Sequence, residues 1–324
     1  MGYRYVFGPV ASGRLGRSLG LDLLGEAVCT LDCQYCEVGR TTRLTVHREP
    51  YVPARDILNE LASWAATATR TPDHVTLGGM GEPCLNSDMG AVIRGAREIL
   101  PGVPVAVLTN ATLLTDAGVR SELATADVVL PSMDTLVPEE FAALNRPHPS
   151  LDLAAMTRAL LDFREQFQGR LYLEVLLVRG MNDSRRNLSL LTEFCRSLRP
   201  HRVDVVTMTR PGASRSAAPV DEETLALWRE ALSAETGPTT ASAAPGTGAR
   251  ISPADAAAPQ ALQETIMASV SRRPQTARQL AFALDVPEAQ ARAALDDLSR
   301  SGRVRPMRAE GQTFFAPPDR EDRP

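Results

Sequence analysis

The chain contains no lysine, so arginine and four histidines are its only cationic side chains. Without a lysine amine, no side chain can form an imine with a carbonyl substrate, which excludes one common route of covalent catalysis. Cysteine is also scarce, with five residues in 324. A small, odd number of cysteines, three of them close together, argues against a disulfide framework and favours a cluster or metal site.

Long apolar runs are absent as well. No stretch approaches the ~18 residues of a membrane span, and the N-terminal segment MGYRYVFGPVASGR lacks the apolar core of a signal peptide. We therefore expect a cytoplasmic protein with no membrane partner. The net charge of −4 excludes a protein that coats nucleic acid by charge alone. Aromatic residues make up only 5% of the chain, which does not favour a stacking platform for single-stranded RNA.

The length and the hydrophobic pattern predict two domains, since 324 residues correspond to about two at ~150 residues each. Over residues 1–232, short β-branched runs alternate with longer amphipathic runs, which is typical of an α/β fold with a parallel sheet, either doubly wound or a partial barrel. The predicted strands are Leu21–Val28, His74–Leu77, Val103–Leu108, Asp127–Leu130, Leu171–Val178 and Val203–Thr207. The predicted helices are Ala54–Ala66, Met89–Leu100, Asp116–Leu123, Leu151–Phe167, Ser184–Leu198 and Glu222–Leu232.

The remainder of the chain has a different character. Residues 233–258 are rich in Ala, Gly, Pro, Ser and Thr without a hydrophobic period, and predict a flexible linker. Residues 259–324 form the second predicted domain, whose three helices and terminal hairpin resemble a small winged helix-turn-helix. These elements are predicted at Ala261–Ser271, Ala277–Leu284, Glu288–Arg300 and Val304–Phe315. The third helix carries more acids than arginines, which disfavours reading of DNA bases by that helix.

Three cysteines form the most specific motif. Cys29, Cys33 and Cys36 follow the first predicted strand with the spacing C-x₃-C-x₂-C. A short loop can bring three thiolates to one [4Fe-4S] cluster. Three thiolate ligands leave the fourth iron of the cluster open for an exogenous ligand. The alternative is a structural zinc site completed by His47 or Cys84, although zinc knuckles usually pair two C-x₂-C sets and the sequence has one.

Polar residues follow the later predicted strands, at the ends where a parallel barrel carries its active residues. They fall in the turn GGMGEP after the second strand and in the segments after the third, fourth and fifth strands. At several of these positions, the alternative interpretation is an ordinary turn residue or helix cap. These candidates are Gly79, Gly81, Glu82, Pro83, Asn110, Ser132, Asp134 and Asn182. Glu174 lies inside the apolar run LYLEVLLV, so we expect it to face the barrel lumen and a polar partner, with a salt bridge to Arg146 or Arg179 as the alternative.

Together these motifs resemble one branch of the radical S-adenosylmethionine (SAM) superfamily, related to the tRNA wyosine synthases. The segments that carry the resemblance are FGPV-x₃-RLGRSLG, the cysteine loop followed by EVGRTT, GMGEP, NRPHPSL and LEVLLVRGMND. The resemblance implies a partial, TIM-like (β/α)₆ barrel whose [4Fe-4S] cluster is held by Cys29, Cys33 and Cys36 with SAM on the open iron. It also implies reductive cleavage of SAM to a 5′-deoxyadenosyl radical that abstracts hydrogen from a substrate, with an electron from a donor such as flavodoxin or ferredoxin.

The resemblance further implies SAM contacts. An aromatic residue before the last cysteine, here Tyr35, lies near the adenine in that superfamily, and a GGEP-type motif binds the amino group. The expected cofactor contacts are therefore Tyr35, Gly79, Gly81, Glu82, Pro83, Asn110, Ser132, Asp134, Glu174 and Asn182. The wyosine chemistry itself is not implied, because those enzymes use a lysine imine and further cysteines for a second cluster.

The substrate class stays open at this point. Arginine forks suit phosphates, and five arginines flank the cluster motif, so tRNA or a nucleotide is one expectation, with a salt-bridged surface as the alternative reading. These arginines are Arg14, Arg17, Arg40, Arg43 and Arg48. The other functional alternatives are modification of a peptide recognised by the winged helix, and a non-enzymatic, metal-sensing regulator that binds DNA.

Overall fold

A seven-stranded sheet forms the centre of the computed structural model, which describes residues 3–68, 70–233, 259–309 and 311–318. The strands, in their order across the sheet, are β1 (Val6–Ser12), β2 (Gly16–Asp22), β5 (His74–Gly78), β6 (Val105–Thr109), β7 (Val128–Pro131), β8 (Arg170–Leu177) and β9 (Arg202–Thr207). β1 pairs with β2 in antiparallel fashion, and the other neighbours are parallel, so the predicted parallel sheet is confirmed. A separate short pair, β3 (Val28–Cys29) and β4 (Arg43–Leu44), flanks the cysteine loop.

Helices connect the parallel strands. They are α1 (Ala54–Thr67), α2 (Met89–Ile99), α3 (Ala117–Leu123), α4 (Pro138–Asn145), α5 (Leu153–Gln166), α6 (Arg185–Leu198) and α7 (Glu222–Ser233). Side chains cap several of them: the Asp152 carboxylate accepts from Ala155 N–H at the start of α5, and the Ser184 hydroxyl from Asn187 N–H at the start of α6. Helix α4 is absent from the sequence-based prediction, because its eight residues are too few for a clear apolar period.

The first strand differs from the prediction. The sequence predicts a strand over Leu21–Val28, whereas β2 ends at Asp22. The Asp22 carboxylate accepts hydrogen bonds from Leu24 and Gly25 N–H, which turns the chain out of the sheet at that point. The antiparallel partner β1 is also missing from the prediction, since Gly8 and Pro9 interrupt its short apolar sequence VFGPVAS.

The sheet curves into a partial barrel. Arg14, in the turn between β1 and β2, forms an ion pair with Glu174 of β8, although β2 and β8 would lie about 19 Å apart in a flat sheet. The two sheet edges, β1 and β9, are not paired with each other. A seam between them therefore leaves the lumen of the barrel open on one side.

The described residues after 258 form what we call the C-terminal module. Its elements are α8 (Pro259–Val270), α9 (Ala277–Leu284), α10 (Glu288–Arg300), β10 (Arg305–Ala309) and β11 (Gln312–Ala316), the last two paired in antiparallel fashion. The module has its own apolar cluster, which includes Ile266, Leu280 and Leu295. The predicted linker, residues 233–258, lies outside the described residues apart from Ser233.

The module packs on the edge strand of the sheet. Helices α8 and α9 contact β1. Arg272 forms an ion pair with Asp22 at 3.4 Å and lies over the Phe7 ring, with both charged side chains nearly excluded from solvent. In the parts of the chain that the structure describes, no helix is long and apolar enough to cross a membrane.

Candidate active site

The cysteine loop lies against the C-terminal end of α4. Asp32 and Gln34 donate their backbone N–H groups to the carbonyls of Asn145 and Leu144, at 3.0 and 2.9 Å. The Asp32 carboxylate accepts from Thr41 N–H at 2.9 Å, which closes the loop on itself. The unpredicted helix α4 thus anchors the part of the loop around Cys33, while Cys29 is held by the pairing of β3 with β4.

The three thiols are half-buried and close enough to affect one another. Removal from solvent, together with the charge of Glu82, raises the pKa of Cys29 to about 12. Burial and the neighbouring Cys29 and Cys36 raise the pKa of Cys33 well above its usual value. Within the described residues, no three His, Cys, Asp or Glu side chains are grouped tightly enough to hold a single metal ion. In a [4Fe-4S] cluster, by contrast, each thiolate binds a different iron. The three thiolates of a cluster are therefore farther apart than ligands of a single metal ion.

Two asparagine side chains lie against the sulfur atoms. Asn110 Nδ2 is 3.5 Å from Cys29 Sγ, and Asn145 Nδ2 is 3.4 Å from Cys33 Sγ. Asn145 Oδ1 is buried with no hydrogen-bond partner. Amide donors to cluster sulfurs are a known means of tuning the reduction potential, and an unpaired buried oxygen marks a place for a further donor.

The glycine turn after β5 brings its backbone onto the strand that carries the first cysteine. A Cβ on Gly81 would lie 1.8 Å from the Val28 carbonyl oxygen, so only glycine fits at this position. Gly79, at a positive φ of 118°, lies against the Asp22 side chain. Pro83 begins a short 3-10 turn, Pro83–Leu85, directly after this approach.

Glu82 is buried at the centre of the site. Its Oε1 accepts from Cys84 N–H at 3.0 Å and from the Thr109 hydroxyl at 2.7 Å, and its Oε2 accepts from Asn110 N–H at 2.6 Å. Burial raises the pKa of this carboxyl despite the three donors. A carboxylate has about four acceptor positions, so one position on Oε2 is left for a further donor.

A cleft opens beside the cysteine loop and brings together four of the predicted cofactor contacts. The Tyr35 hydroxyl donates to Asp134, which also accepts from Asn145 Nδ2 at 3.0 Å and from Leu176 N–H at 3.1 Å. Burial raises the pKa of Asp134. The cleft is lined by Leu31, Tyr35, Asn110, Ser132, Met133, Asp134, Thr135, Phe141, Asn145 and Met156.

Asn182 does not lie at this cleft. Its side chain is fully buried, with Oδ1 accepting from Val178 N–H and Nδ2 donating to the carbonyls of Asp134 and Leu176. Both amide donors and the amide oxygen are engaged by backbone groups, and the contact of Asn182 with a cofactor stays a prediction. Asn182 fixes the backbone of Asp134 by donating to its carbonyl at 2.9 Å.

Glu174 lies on the lumen face of β8, bridged to Ser132 of the neighbouring strand. Its ion-pair partner is Arg14. The two alternative partners named from the sequence face other carboxylates. Arg146 pairs with Asp32 at 3.7 Å, and the charge of Arg179 acts on Asp221. The distance in sequence between residues 14 and 174 explains why this pair escapes prediction.

The two residues that could complete the alternative zinc site lie away from the three thiols. The His47 side chain is 72% exposed and lies near Glu49. Cys84 is buried in the main apolar cluster with its Sγ directed to the Thr109 hydroxyl at 3.4 Å. Neither side chain joins the three thiols. Cys195 is fully buried on α6.

The five arginines near the cluster motif all have carboxylate neighbours. Arg40 lies 3.1 Å from Asp32, Arg43 lies 2.7 Å from Glu49, and Arg48 lies 2.7 Å from Glu122. Arg14 pairs with Glu174, and Arg17 lies 4.0 Å from Asp285. This arrangement agrees with the salt-bridged alternative.

Sequence reasoning misses two groups of residues at the site. Thr109, the partner of Glu82, ends β6, and a polar residue at a strand end is the signal that would have found it. The second group is a set of charged pairs in the lumen, where Arg202 donates to Asp204 at 2.8 Å and Arg210 contacts both oxygens of Glu37 at 3.1 Å. Arg202 and Asp204 alternate along β9, and this period-two polarity is a readable signal.

The fold and the three-thiol loop beside a glycine turn define the class of radical SAM barrels. The Radical SAM superfamily model matches residues 27–190. The UPF0026 protein slr1464 of Synechocystis sp. is 36% identical over 207 residues, which cover 64% of this chain and 76% of that protein. The chain belongs to the radical SAM superfamily and, within it, to the UPF0026 family.

Other relatives match different lengths. GTPase Obg of Brachyspira hyodysenteriae is 30% identical over 316 residues, which cover 96% of this chain but only 45% of that relative. The RNA methyltransferase RlmN of Synechococcus sp., described as probable and dual-specificity, is 27% identical over 185 residues, covering 53% of this chain and 51% of that protein. A radical SAM methyltransferase from Sphaerobacter thermophilus has the same fold, with a TM-score of 0.55 and 19% identity over 69% of this chain and 65% of its own.

Superfamily membership fixes the cofactors as a [4Fe-4S] cluster and SAM. The residues present fit them, because three thiols, two sulfur-directed amides and a buried carboxylate with one free acceptor position meet at one place. Superfamily members are enzymes that need an external electron donor.

Proposed function

We propose that this chain is a radical SAM enzyme that abstracts hydrogen from RNA or a nucleotide, with Cys29, Cys33 and Cys36 holding the cluster. The observation that carries the proposal is that Asn110 and Asn145, which line the cleft with Tyr35 and Asp134, also contact the sulfur atoms of Cys29 and Cys33. When bound, the cluster and SAM supply a 5′-deoxyadenosyl radical through one-electron reduction.

The protein's own residues would hold the cofactor and tune the cluster. Glu82 would accept from the SAM ammonium at its remaining Oε2 position. Gly81 allows the close approach of backbone that brings Glu82 beside Cys29. Asn110 and Asn145 direct amide N–H groups at the sulfurs. Ser132, the residue after β7, and Glu174 of β8 are neighbours and supply further polar groups toward the lumen.

The substrate class is supported by two observations. The RlmN relative is named for a reaction on RNA, and the lumen carries guanidinium groups beside the open seam of the sheet. Placement near the wyosine-synthase branch is part of the proposal, without the imine chemistry, because the chain has no lysine.

We assign residues 1–232 to the barrel, 233–258 to a linker and 259–324 to a winged-helix-like recognition domain. Its separate apolar cluster and the capping box of Thr276 and Gln279 at α9 support a unit of its own. Reading of DNA is disfavoured, because on α10 Arg292 lies 2.9 Å from Glu288, and Arg300 pairs with Asp297.

Deuterium transfer tests the substrate class. The anaerobically reconstituted enzyme is given SAM, dithionite and either RNA, nucleotides or proteins from cells grown in deuterated medium. Deuterium in 5′-deoxyadenosine from the RNA or nucleotide fraction is the expected result. Deuterium from the protein fraction alone would replace this substrate class with a polypeptide, and no 5′-deoxyadenosine at all would overturn radical SAM chemistry.

A further inference from the structure

Arg272 connects the C-terminal module to the barrel through several contacts of its guanidinium group. Its Nη1 donates to the Ala268 carbonyl of α8 at 2.7 Å, which fixes the group within the module. Its Nη2 donates to the Arg4 carbonyl and lies 3.4 Å from Oδ2 of Asp22, the last residue of β2. Its Cζ lies 4.5 Å from the centre of the Phe7 ring on β1. One side chain of the module therefore reaches the end of a barrel strand.

A second carboxylate near Arg272, that of Glu60, is engaged by the backbone. Its charge acts on Arg272, and its oxygens accept from the N–H groups of Arg4, Tyr5 and Val6 at 2.7 to 3.1 Å. Glu60 thus holds the chain where it enters β1. Among the described residues, Asp22 is the carboxylate within ion-pair distance of Arg272.

The other oxygen of Asp22 holds the glycine turn GGMGEP. This Oδ1 accepts from Met80 N–H at 3.4 Å, in addition to Leu24 and Gly25 N–H at 3.2 Å. A Cβ on Gly79 would lie 2.9 Å from Asp22 Cγ, so the turn packs directly on this carboxylate. The contact with Met80 is long for a hydrogen bond, and a small displacement of the carboxylate would break it.

The glycine turn leads into Glu82. Met80 precedes Glu82 by two residues, and Glu82 N–H donates to the Val28 carbonyl at 3.1 Å, the same oxygen that Gly81 approaches. A displacement of Met80 therefore moves the carboxylate that would accept from the SAM ammonium. The thiols lie on a different segment, residues 29–36, so the same displacement removes no ligand of the cluster.

We propose that Arg272 is a positioning residue for SAM, because it fixes the Asp22 carboxylate that holds Met80 and the glycine turn in place for Glu82. A carboxylate engaged on both oxygens has one orientation. Asp22 is only 1% exposed, so loss of Arg272 leaves a buried charge that favours rotation toward another donor. Docking of the module thus completes the cofactor site. This inference rests on the proposed function, since it needs SAM at Glu82.

Equilibrium binding of SAM to full-length, anaerobically reconstituted protein tests the proposal without turnover. The variants are Arg272→Gln, Asp22→Asn and the double variant, which removes both buried charges together and leaves neither unpaired. Asp285→Asn is the matched control. Asp285 of the module lies 3.0 Å from Arg70 and 4.0 Å from Arg17, so it contacts the barrel at the other end of β2.

Each single variant should bind SAM about fivefold or more weakly than the wild type. The double variant should match the weaker single variant within about twofold, because the two residues act as one unit. Asp285→Asn should match the wild type. A SAM analogue without the amino group should bind all of these proteins alike, since the contact acts through Glu82, whereas a general loosening of the fold would weaken SAM and the analogue together.

Hydrogen exchange at Met80 N–H, measured without SAM, reports on the contact itself. Exchange should be about fivefold or more faster in Arg272→Gln and in the double variant than in the wild type, and unchanged in Asp285→Asn.

Four results would each overturn the inference: unchanged SAM affinity in Arg272→Gln or the double variant, equal losses for SAM and the analogue, single losses that multiply in the double variant, or unchanged exchange at Met80. A folded, iron-loaded wild type that binds no SAM would instead overturn the proposed function, while exchange at Met80 would still test the contact. The two failures can therefore be told apart.

Discussion

The carboxylate of Glu82 offers the sharpest test of how the chain would bind SAM. Replacement by glutamine keeps the size of the side chain but leaves one carbonyl oxygen where two acceptor oxygens serve three donors. With the amide oxygen at the Oε1 position, the new NH₂ group meets Asn110 N–H, which now lies 2.6 Å from Oε2. The opposite orientation places the NH₂ group against Cys84 N–H, 3.0 Å from Oε1.

Either orientation of Glu82→Gln leaves a buried backbone donor without an acceptor, which costs about 1–3 kcal/mol in the free energy of unfolding. Removal of a buried charge offsets part of this loss, because burial raises the pKa of the carboxyl. The free energy of unfolding should therefore fall by about 1 kcal/mol, near the lower end of that range. SAM loses a charge-assisted hydrogen bond from its ammonium, so its affinity should fall about tenfold to 100-fold.

The assay is equilibrium binding of SAM to the reconstituted variant, with urea unfolding measured on the same preparation. An analogue without the amino group should bind wild type and variant alike. Glu49→Gln is the matched control, because Glu49 is a carboxylate with an exposed ion pair to Arg43. If folded Glu82→Gln protein binds SAM as the wild type does, Glu82 does not hold the ammonium.

Three other changes test the surroundings. Gly81→Ala should abolish stable iron binding in an iron assay, since its Cβ would clash with the Val28 carbonyl oxygen of β3 at 1.8 Å. Gly78→Ala is the control and should retain iron, because its Cβ would have no contact closer than 3.9 Å. Arg272→Gln should lower the free energy of unfolding by about 3 kcal/mol in urea, because it leaves the Asp22 carboxylate buried without its cation; an unchanged value would contradict the docking of the module. Burial raises the pKa of Asp134 above 3.8, so the native state binds its proton more strongly and stability falls as pH rises from 3.8 through the native pKa. The difference in unfolding free energy between wild type and Asp134→Asn should change across that range and be constant above it, and a difference independent of pH would refute the assigned cause.

Much of the fold follows from local pattern. Helix α9, Ala277–Leu284, and helix α10, Glu288–Arg300, match the predicted limits. Both have an apolar period within the segment, and α9 also has a capping box at its start. The edge strand β1 is different, since its sequence is interrupted by Gly8 and Pro9 and becomes a strand through pairing with β2. Strand limits set by tertiary pairing are not encoded locally.

The site shows the same division. The thiol spacing and the glycine turn are contiguous motifs, and the sequence predicts their residues. The pairing of Arg14 with Glu174 depends on curvature of the sheet, and the pairing of Arg272 with Asp22 depends on docking of the module. Asn182 is a polar residue at the expected turn, but its side-chain amide donates to the backbone carbonyls of Asp134 and Leu176. The sequence does not reveal these hydrogen bonds.

Iron content and SAM cleavage, measured together after anaerobic reconstitution, test the central claim most directly. We expect about four irons per chain and 5′-deoxyadenosine on addition of dithionite and SAM. Cys33→Ala should lose both, and Cys195→Ala, which alters a buried cysteine of α6, should keep both. Stoichiometric zinc without iron, or a full cluster that yields no 5′-deoxyadenosine, would contradict the account.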